Sequence, residues 1–452
     1  MFMNKTKIIC TIGPSTYNEE ILEKMINSGL NIARFNFSHA DYDKTKNILN
    51  IIKSLNQKLK TSVANLLDTK GPEIRTHDFD GEVTIEQDSL VKIASYKVLG
   101  NKDIFSVTYP NFYEELNIGN IIYLDDGFLK LEVIDKKNGE LITKAKNTHI
   151  VKSRRGINVP NVDLKMNFIS DKDYKDIVFA IENDYDYIAA SFTRTAQDII
   201  DIKNILNNYK NSKIKIIAKI ENQSGIDNID KIIEVADGVM VARGDLGIEI
   251  KDVTVPLYQS IIIQKCLVKG KPVIVATQML ESMQKNSRPT KAEISDVFNA
   301  VREGTSATML SGESASGFYP IESTEYMKKI NNNAEKTLNY EFFSKIYNPQ
   351  NFRESLLLNA VQMSLNLPIA AIVVYNFEDA YNISKFHPSV PVFAFVSNLK
   401  ESRLLSLNFS IYPILEKSEL DYNVQILIKN NMDVNNLILV KDNNLEVKKI
   451  EF

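Results

Sequence analysis

Short apolar runs rich in β-branched residues alternate with longer stretches of helical spacing over most of the chain. The short runs fall at residues 8–12, 32–37, 63–67, 187–192, 214–220, 238–242, 273–276 and 307–310. Each has the length of a strand, and all but the third are followed within a few residues by a 3.6-residue periodicity. In one such stretch Ile294, Val297, Phe298 and Val301 take the i, i+3, i+4, i+7 positions of a buried stripe. In another, Asn18-Glu19-Glu20 opens a helix that carries Ile21, Leu22, Met25 and Ile26 and stops at Gly29. Strand–helix repetition predicts parallel strands joined by right-handed crossovers. Eight units in succession meet the requirement of a closed (β/α)8 TIM barrel, with an open doubly wound sheet as the alternative on pattern alone.

The third unit is interrupted. Strand-like stretches at 82–85, 90–94, 121–124, 129–134 and 141–145 are punctuated by Asp80-Gly81, Asp126-Gly127 and Asn138-Gly139, and helical patterning resumes only at Ser170-Asp171-Lys172-Asp173. Residues 76–156 therefore read as an inserted all-β, barrel-like domain, placed as a lid because it leaves the barrel near the C-terminal strand ends. A fresh α/β alternation follows, with strands at 369–375, 390–396, 410–415 and 437–440. The predicted division is a barrel over 1–75 and 157–336, a lid over 76–156 and a C-terminal α/β domain over 337–452.

Composition narrows the function classes. At 452 residues the chain is too long for one core. A hydrophobic content of 44% and a charged content of 25% exclude disorder and coiled coil. The formal charge of −3 carries no basic footprint for nucleic acid. Cys10 and Cys266 stand far apart and four histidines are scattered, which predicts free thiols, a reducing compartment and no zinc site. Residues 1–7 lack the apolar run of a signal peptide, and runs such as 369–375 fall short of the ~18 residues of a membrane span. The expectation is a soluble, cytoplasmic chain.

Chemically capable residues gather at the C-terminal ends of six of the eight predicted barrel strands, the face where barrel active sites lie. On the second strand Arg34, Asn36 and Ser38 share one face while Phe35 and Phe37 share the other. Lys219 and Glu221 flank Ile220 on the fifth, and the sixth ends in Ala242-Arg243-Gly244-Asp245-Leu246-Gly247, where the glycines let a turn approach an anion. Asp68-Thr69-Lys70-Gly71, Thr277-Gln278-Met279 and Ser311-Gly312-Glu313-Ser314 close the third, seventh and eighth. Glu221 and Asp245, with no His or Cys beside them, form a hard oxygen site suited to magnesium. Arg34, Arg75 and Lys219 supply the positive charge a phosphoryl group requires. No Walker or dinucleotide loop occurs. The composite reads as magnesium-dependent phosphoryl chemistry on a small carboxylated substrate.

Residues 5–16 (KTKIICTIGPST), 31–39 (NIARFNFSH), 67–76 (LDTKGPEIRT), 219–222 (KIEN), 241–250 (VARGDLGIEI), 276–283 (ATQMLESM), 288–290 (RPT) and 309–313 (MLSGE) resemble the pyruvate kinase family in order and spacing. The resemblance spans roughly residues 5–325 and implies phosphoryl transfer from phosphoenolpyruvate to ADP, giving pyruvate and ATP in the last step of glycolysis, with Mg2+ (or Mn2+) and K+ as cofactors. It implies that Arg34 holds the substrate phosphate, that Glu221 and Asp245 bind magnesium, and that Asn36, Ser38, Asp68 and the Thr69 carbonyl coordinate potassium. Amides around Gly244 and Asp245 would receive the carboxylate, with Thr277 also touching the substrate. Lys219 would stabilise the moving phosphoryl group. Thr277 with Ser311 would relay a proton to the enolate, and Arg75, Arg155 and His39 would reach the nucleotide. A homotetramer is implied, with no nucleic-acid or membrane partner.

Four departures from the family pattern stand out. Arg155 replaces the usual Lys, Ala40 the usual Gly and Ser314 the usual Thr. Tyr375-Asn376-Phe377-Glu378-Asp379 occupies the place of the hydroxyl- and glycine-rich phosphate loop of regulated members, so activation by fructose 1,6-bisphosphate is expected to be weak or absent. Lys400, Arg403 and the Lys448-Lys449 pair stand as cations available to some other anion. A magnesium-dependent pyruvate-enolate lyase or aldolase and a non-catalytic scaffold are the rival readings.

Overall fold

The computed structural model describes residues 4–38, 40–162, 164–209, 212–430 and 436–449. Eight parallel strands close into a barrel in chain order: Lys7–Thr11, Ile32–Asn36, Ala64–Asp68, Tyr187–Ala190, Lys215–Ile220, Gly238–Ala242, Val273–Ala276 and Ala307–Leu310. The first strand pairs with both the second and the eighth, which rules out the open sheet. Alternation along the strands puts Ile9, Ile32, Leu66, Ala189, Ile217, Met240, Ile274 and Met309 inside, while Phe35 and Phe37 join the outer layer under the helices.

Local chemistry sets the helix ends. The Asn18 side chain accepts the Glu20 and Ile21 amides, and Gly29 at φ 121° ends that helix where a side chain would be strained. Ser170 and Asp173 form a reciprocal cap on helix Asp171–Glu182. The stripe predicted from Ile294 is displaced. In helix Lys291–Arg302 the buried residues are Val297, Ala300 and Val301, Phe298 is half-buried and Ile294 in the first turn is exposed.

The insertion folds on its own sheet, seven strands with an apolar cluster that includes Ile93, Phe105, Leu124, Leu131 and Leu141. That sheet takes in Ile74–Arg75 and Gly156–Asn158, paired antiparallel, so its edges lie outside 76–156. Ile74 and Ile157 also belong to its cluster, so its hydrogen bonding and its burial both reach beyond residues 76–156. The third sheet runs in the order Ile411–Ile414, Val392–Phe395, Ile369–Val374, Asn436–Lys441, Asn444–Lys449, parallel except for the last hairpin. Its border also shifts: Leu338 and Phe343 pack into the barrel cluster, and the third cluster begins with Tyr347 rather than at 337.

This third sheet is bolted to the barrel's N-terminal end. Leu407 enters the barrel's inner cluster, the Tyr187 hydroxyl donates to the Leu404 carbonyl, and fully buried Asp186 accepts Lys400 and Arg403. Lys400 and Arg403 also pair with Asp184, so their charges are satisfied within the chain and the expected availability to an outside anion is overturned. Among the described residues no helix is long and apolar enough to cross a membrane. Both cysteines are buried and unbridged.

Candidate active site

The strand ends converge on a chain of charges. Arg34 is buried, and its Nε and Nη2 meet Asp68 Oδ2 at 2.7 and 2.6 Å, while Nη1 donates to Thr11 Oγ1 at 2.7 Å. The other Asp68 oxygen faces Lys219 Nζ at 3.0 Å. Lys219 also reaches Glu221 Oε1 at 2.9 Å and donates to Ser191 Oγ at 2.7 Å. Asn36 lies beside Asp68 across the paired second and third strands, but unlike Arg34 it is exposed, with Oδ1 accepting the Ser38 amide at 3.1 Å.

Burial and neighbours set the protonation of this cluster. Burial would raise the Asp68 carboxyl, but Lys219 and Arg34 outweigh it and hold it below the usual range. Burial would likewise depress the Lys219 ammonium; Asp68 and Glu221 reverse that and raise it. Glu221 is pushed up to about 7, by burial first, relieved by Lys219 and reinforced by Asp245 and Asp68. Burial also raises Asp245; Lys219 opposes the shift, and Asp126 and Glu73 reinforce it. Buried Glu221 and half-buried Asp245, both raised and left short of compensating charge, match the oxygen donors a divalent cation takes.

The loops after the last three strands lock together. The Gly244 amide donates to Thr277 Oγ1 at 2.7 Å, and that hydroxyl donates to the Ala276 carbonyl at 2.6 Å. The Gly244 amide is thus engaged by Thr277 rather than left open toward a ligand. Thr277 and Gln278 hold φ values of 66° and 52°, a conformation costly for a β-branched residue and typical of functional loops. Arg243 maintains it, donating from Nη2 to the Thr277 carbonyl at 2.7 Å while Nη1 pairs with Asp296 at 2.8 Å. Fully buried Glu313 accepts the Leu280 and Ser311 amides, tying the seventh loop to the eighth. Among the described residues Ser311 Oγ is buried without a hydrogen-bond partner.

Lid residues overhang this mouth. The Asp125-Asp126-Gly127 turn has three consecutive positive φ angles, and a cavity of about 380 Å3 is shared by lid residues Asp126 and Asn158 and barrel residues Asn222 and Asp245. Arg75 pairs with Glu73 at 2.5 Å and reaches the Arg154 carbonyl at 2.9 Å; Arg155 lies 3.6 Å from Asp125. The second oxygen of Glu73, Oε2, is buried without a partner. His39 lies outside the described residues.

The family described as pyruvate kinase, barrel domain, matches residues 3–324. A pyruvate kinase of Staphylococcus saprophyticus is 45% identical over 425 residues, covering 92% of this chain and 72% of the relative. That of Bacillus licheniformis is 44% identical over 418 residues, covering 91% and 72%. The crystal structure of a pyruvate kinase from Cryptosporidium parvum superposes with a TM-score of 0.91 at 33% identity, covering 99% of this chain and 96% of that one. The chain belongs to the pyruvate kinase family.

Membership in the pyruvate kinase family makes this a phosphotransferase, and nothing supports the lyase alternative. Four residues of this mouth carry no assigned role in the sequence alone. Ser191 and Thr11 sit at the C-terminal ends of the fourth and first strands, where each reads as part of an apolar run. Arg243 and Glu313 stand inside quoted motifs, yet their guanidinium and carboxylate turn back into the protein to hold loops. A hydroxyl at the end of a parallel strand was the available signal for the first two; nothing local marked the direction of the other two.

Proposed function

We propose that the chain transfers the phosphoryl group of phosphoenolpyruvate to ADP, and that the Arg34–Asp68–Lys219–Glu221 chain of charges is its centre. Asp68 holds both cations in place before substrate arrives, so no reorganisation is required as charge develops. The substrate phosphate docks against Arg34 and Lys219. A β-phosphate oxygen of ADP attacks phosphorus, the bond to the enol oxygen breaks, and its electron pair stays with the enolate. Lys219 stabilises the charge on the moving group, which demands positioning more than covalent help. A divalent cation held by Glu221 and Asp245 would supply positive charge to the substrate's carboxylate and phosphoryl oxygens.

The oxygens of Asn36, Ser38, Asp68 and Thr69 suit potassium, and Glu73 stands in the segment that follows Asp68 and Thr69. Glu73 matters in the family pattern because a Lys at that position replaces the ion's charge. Arg75 and Arg155 on the lid are assigned to the nucleotide. For the enolate, Ser311 is the better proton donor. Its hydroxyl is buried and unengaged, whereas the Thr277 proton is directed at the Ala276 carbonyl. Thr277 contributes by holding the Gly244 turn, leaving the next amides toward Asp245 for the carboxylate. We assign the barrel, lid and third sheet to three domains, a homotetramer as the assembly and the cytoplasm as the location. The test is pyruvate formation from phosphoenolpyruvate by the purified protein, with and without ADP. Dependence on ADP is the expected result; ADP-independent pyruvate release would replace the kinase reading with a lyase.

A further inference from the structure

Two consecutive residues on one helix reach into the two loops that carry the proposed potassium ligands. Helix Asp171–Glu182 begins beside the second and third strand ends. Lys172 Nζ donates to the Phe37 carbonyl at 2.6 Å, and Phe37 stands between Asn36 and Ser38. The next residue, buried Asp173, accepts the Gly71 amide on Oδ1 at 3.0 Å, at the end of the loop that starts with Asp68 and Thr69. One loop is held through a carbonyl and the other through an amide, by side chains of opposite charge.

Neither side chain is loose. Lys172 also contacts fully buried Asp176 Oδ2 at 2.7 Å, and the other oxygen of Asp176 accepts the Tyr42 hydroxyl at 2.5 Å. The Tyr42 ring stacks on Phe179 of the same helix, with centroids 4.7 Å apart. Asp173 Oδ2 accepts both the amide and the hydroxyl of Ser170. On the other side, Phe37 donates its amide to the Asp68 carbonyl at 2.9 Å, joining the two loops directly. Gly71, at φ 69°, presses so closely on the fourth strand end that a Cβ there would lie 2.8 Å from the Ser191 carbonyl. A surface i,i+4 ion pair alone would contribute little. Here the same ammonium has a second partner, a main-chain carbonyl in the ligand loop.

We propose that Lys172 and Asp173 are positioning residues that set the distance between the Asn36/Ser38 and Asp68/Thr69 oxygens, and hence the affinity for a monovalent cation. The inference rests on the potassium reading above. Residues that orient ligands without touching the ion typically alter its affinity by about 10–100-fold.

The test is thermal melting of the full chain while KCl replaces tetramethylammonium chloride at constant ionic strength, together with the potassium midpoint of activity. In Lys172→Met both midpoints are expected to move up about tenfold, with kcat at saturating potassium and the divalent-cation midpoint within about twofold. Lys172→Arg, which restores a donor, should recover most of the shift. Asp173→Asn keeps an oxygen for the Gly71 amide and should move the midpoint far less than Asp173→Ala does. A lowered melting temperature with an unchanged potassium midpoint would reduce both residues to structural ones and overturn the proposal. If the wild-type melting temperature and activity ignore potassium, the potassium reading fails first and this inference with it.

Discussion

The barrel and the C-terminal sheet are both parallel α/β arrangements with polar residues at their strand ends, yet those residues meet opposite fates. In the barrel, Arg34, Asp68, Lys219 and Glu221 compensate one another only in part; burial keeps Glu221 raised to about 7 and Ser311 Oγ has no partner. In the third sheet the carboxylate of the corresponding turn is satisfied from within, although Arg353 Nη1 is left buried without a partner among the described residues. Asn376 accepts the Asp379 amide as a helix cap, and its side-chain nitrogen donates to that carboxylate, which also takes a bidentate grip from Arg353. Polar groups at strand ends therefore do not make a site by position alone. What distinguishes the barrel mouth is unmet charge: a carboxyl that burial keeps raised while its neighbours compensate it only in part.

The comparison breaks most visibly at Lys219. Lys219→Met should lower kcat by roughly 10²–10³-fold while the KM for phosphoenolpyruvate moves much less, because the lost charge acts on the transition state. Steady-state kinetics decide it, and near-normal kcat would remove Lys219 from the mechanism.

Potassium probes the same mouth with a smaller expected effect. Exchanging it for tetramethylammonium should cost activity by about an order of magnitude or more, since the oxygen cage then lacks its counter-charge. Full activity in the bulky cation would contradict the cage.

The third sheet should answer in stability instead of rate. Asp379→Asn weakens the charge-assisted grip of Arg353 and should cost about 1–3 kcal/mol in denaturant unfolding. Its kcat should stay within about twofold, and a larger drop would mean that this turn communicates with the barrel.

The smallest effect concerns regulation. Fructose 1,6-bisphosphate should leave the phosphoenolpyruvate saturation curve in place, because Asn376 and Asp379 are engaged internally and Glu378 would repel a phosphate. A marked left shift with loss of sigmoidicity would show that the turn reorganises to bind it.

How far the sequence could be read follows from how far its periodicity extends. All eight barrel strands show themselves because short, mostly apolar runs of strand length recur along this part of the chain. Ile74–Arg75 and Gly156–Asn158 are too short to have a period, so periodicity places the lid's edges inside the strands its sheet takes in. Ser191 and Thr11 escaped notice because a single hydroxyl does not interrupt an apolar run. Lys400 and Arg403 were read as available cations because their partners, Asp184 and Asp186, lie more than two hundred residues away in the chain.

What the sequence by itself determined is the order of elements, the barrel, the presence of an inserted all-β unit and the strand ends at which the chemistry collects. These follow from local periodicity and from the handedness of strand–helix–strand connections. Only the tertiary structure decided which of those polar groups satisfy one another. It turned Arg243 and Glu313 inward to hold loops, engaged the Gly244 amide with Thr277, and paired Lys400 and Arg403 with the barrel. The physical reason is range. Periodicity is a property of neighbours in the chain, whereas the compensation of a buried charge depends on whatever the fold brings within about 4 Å of it.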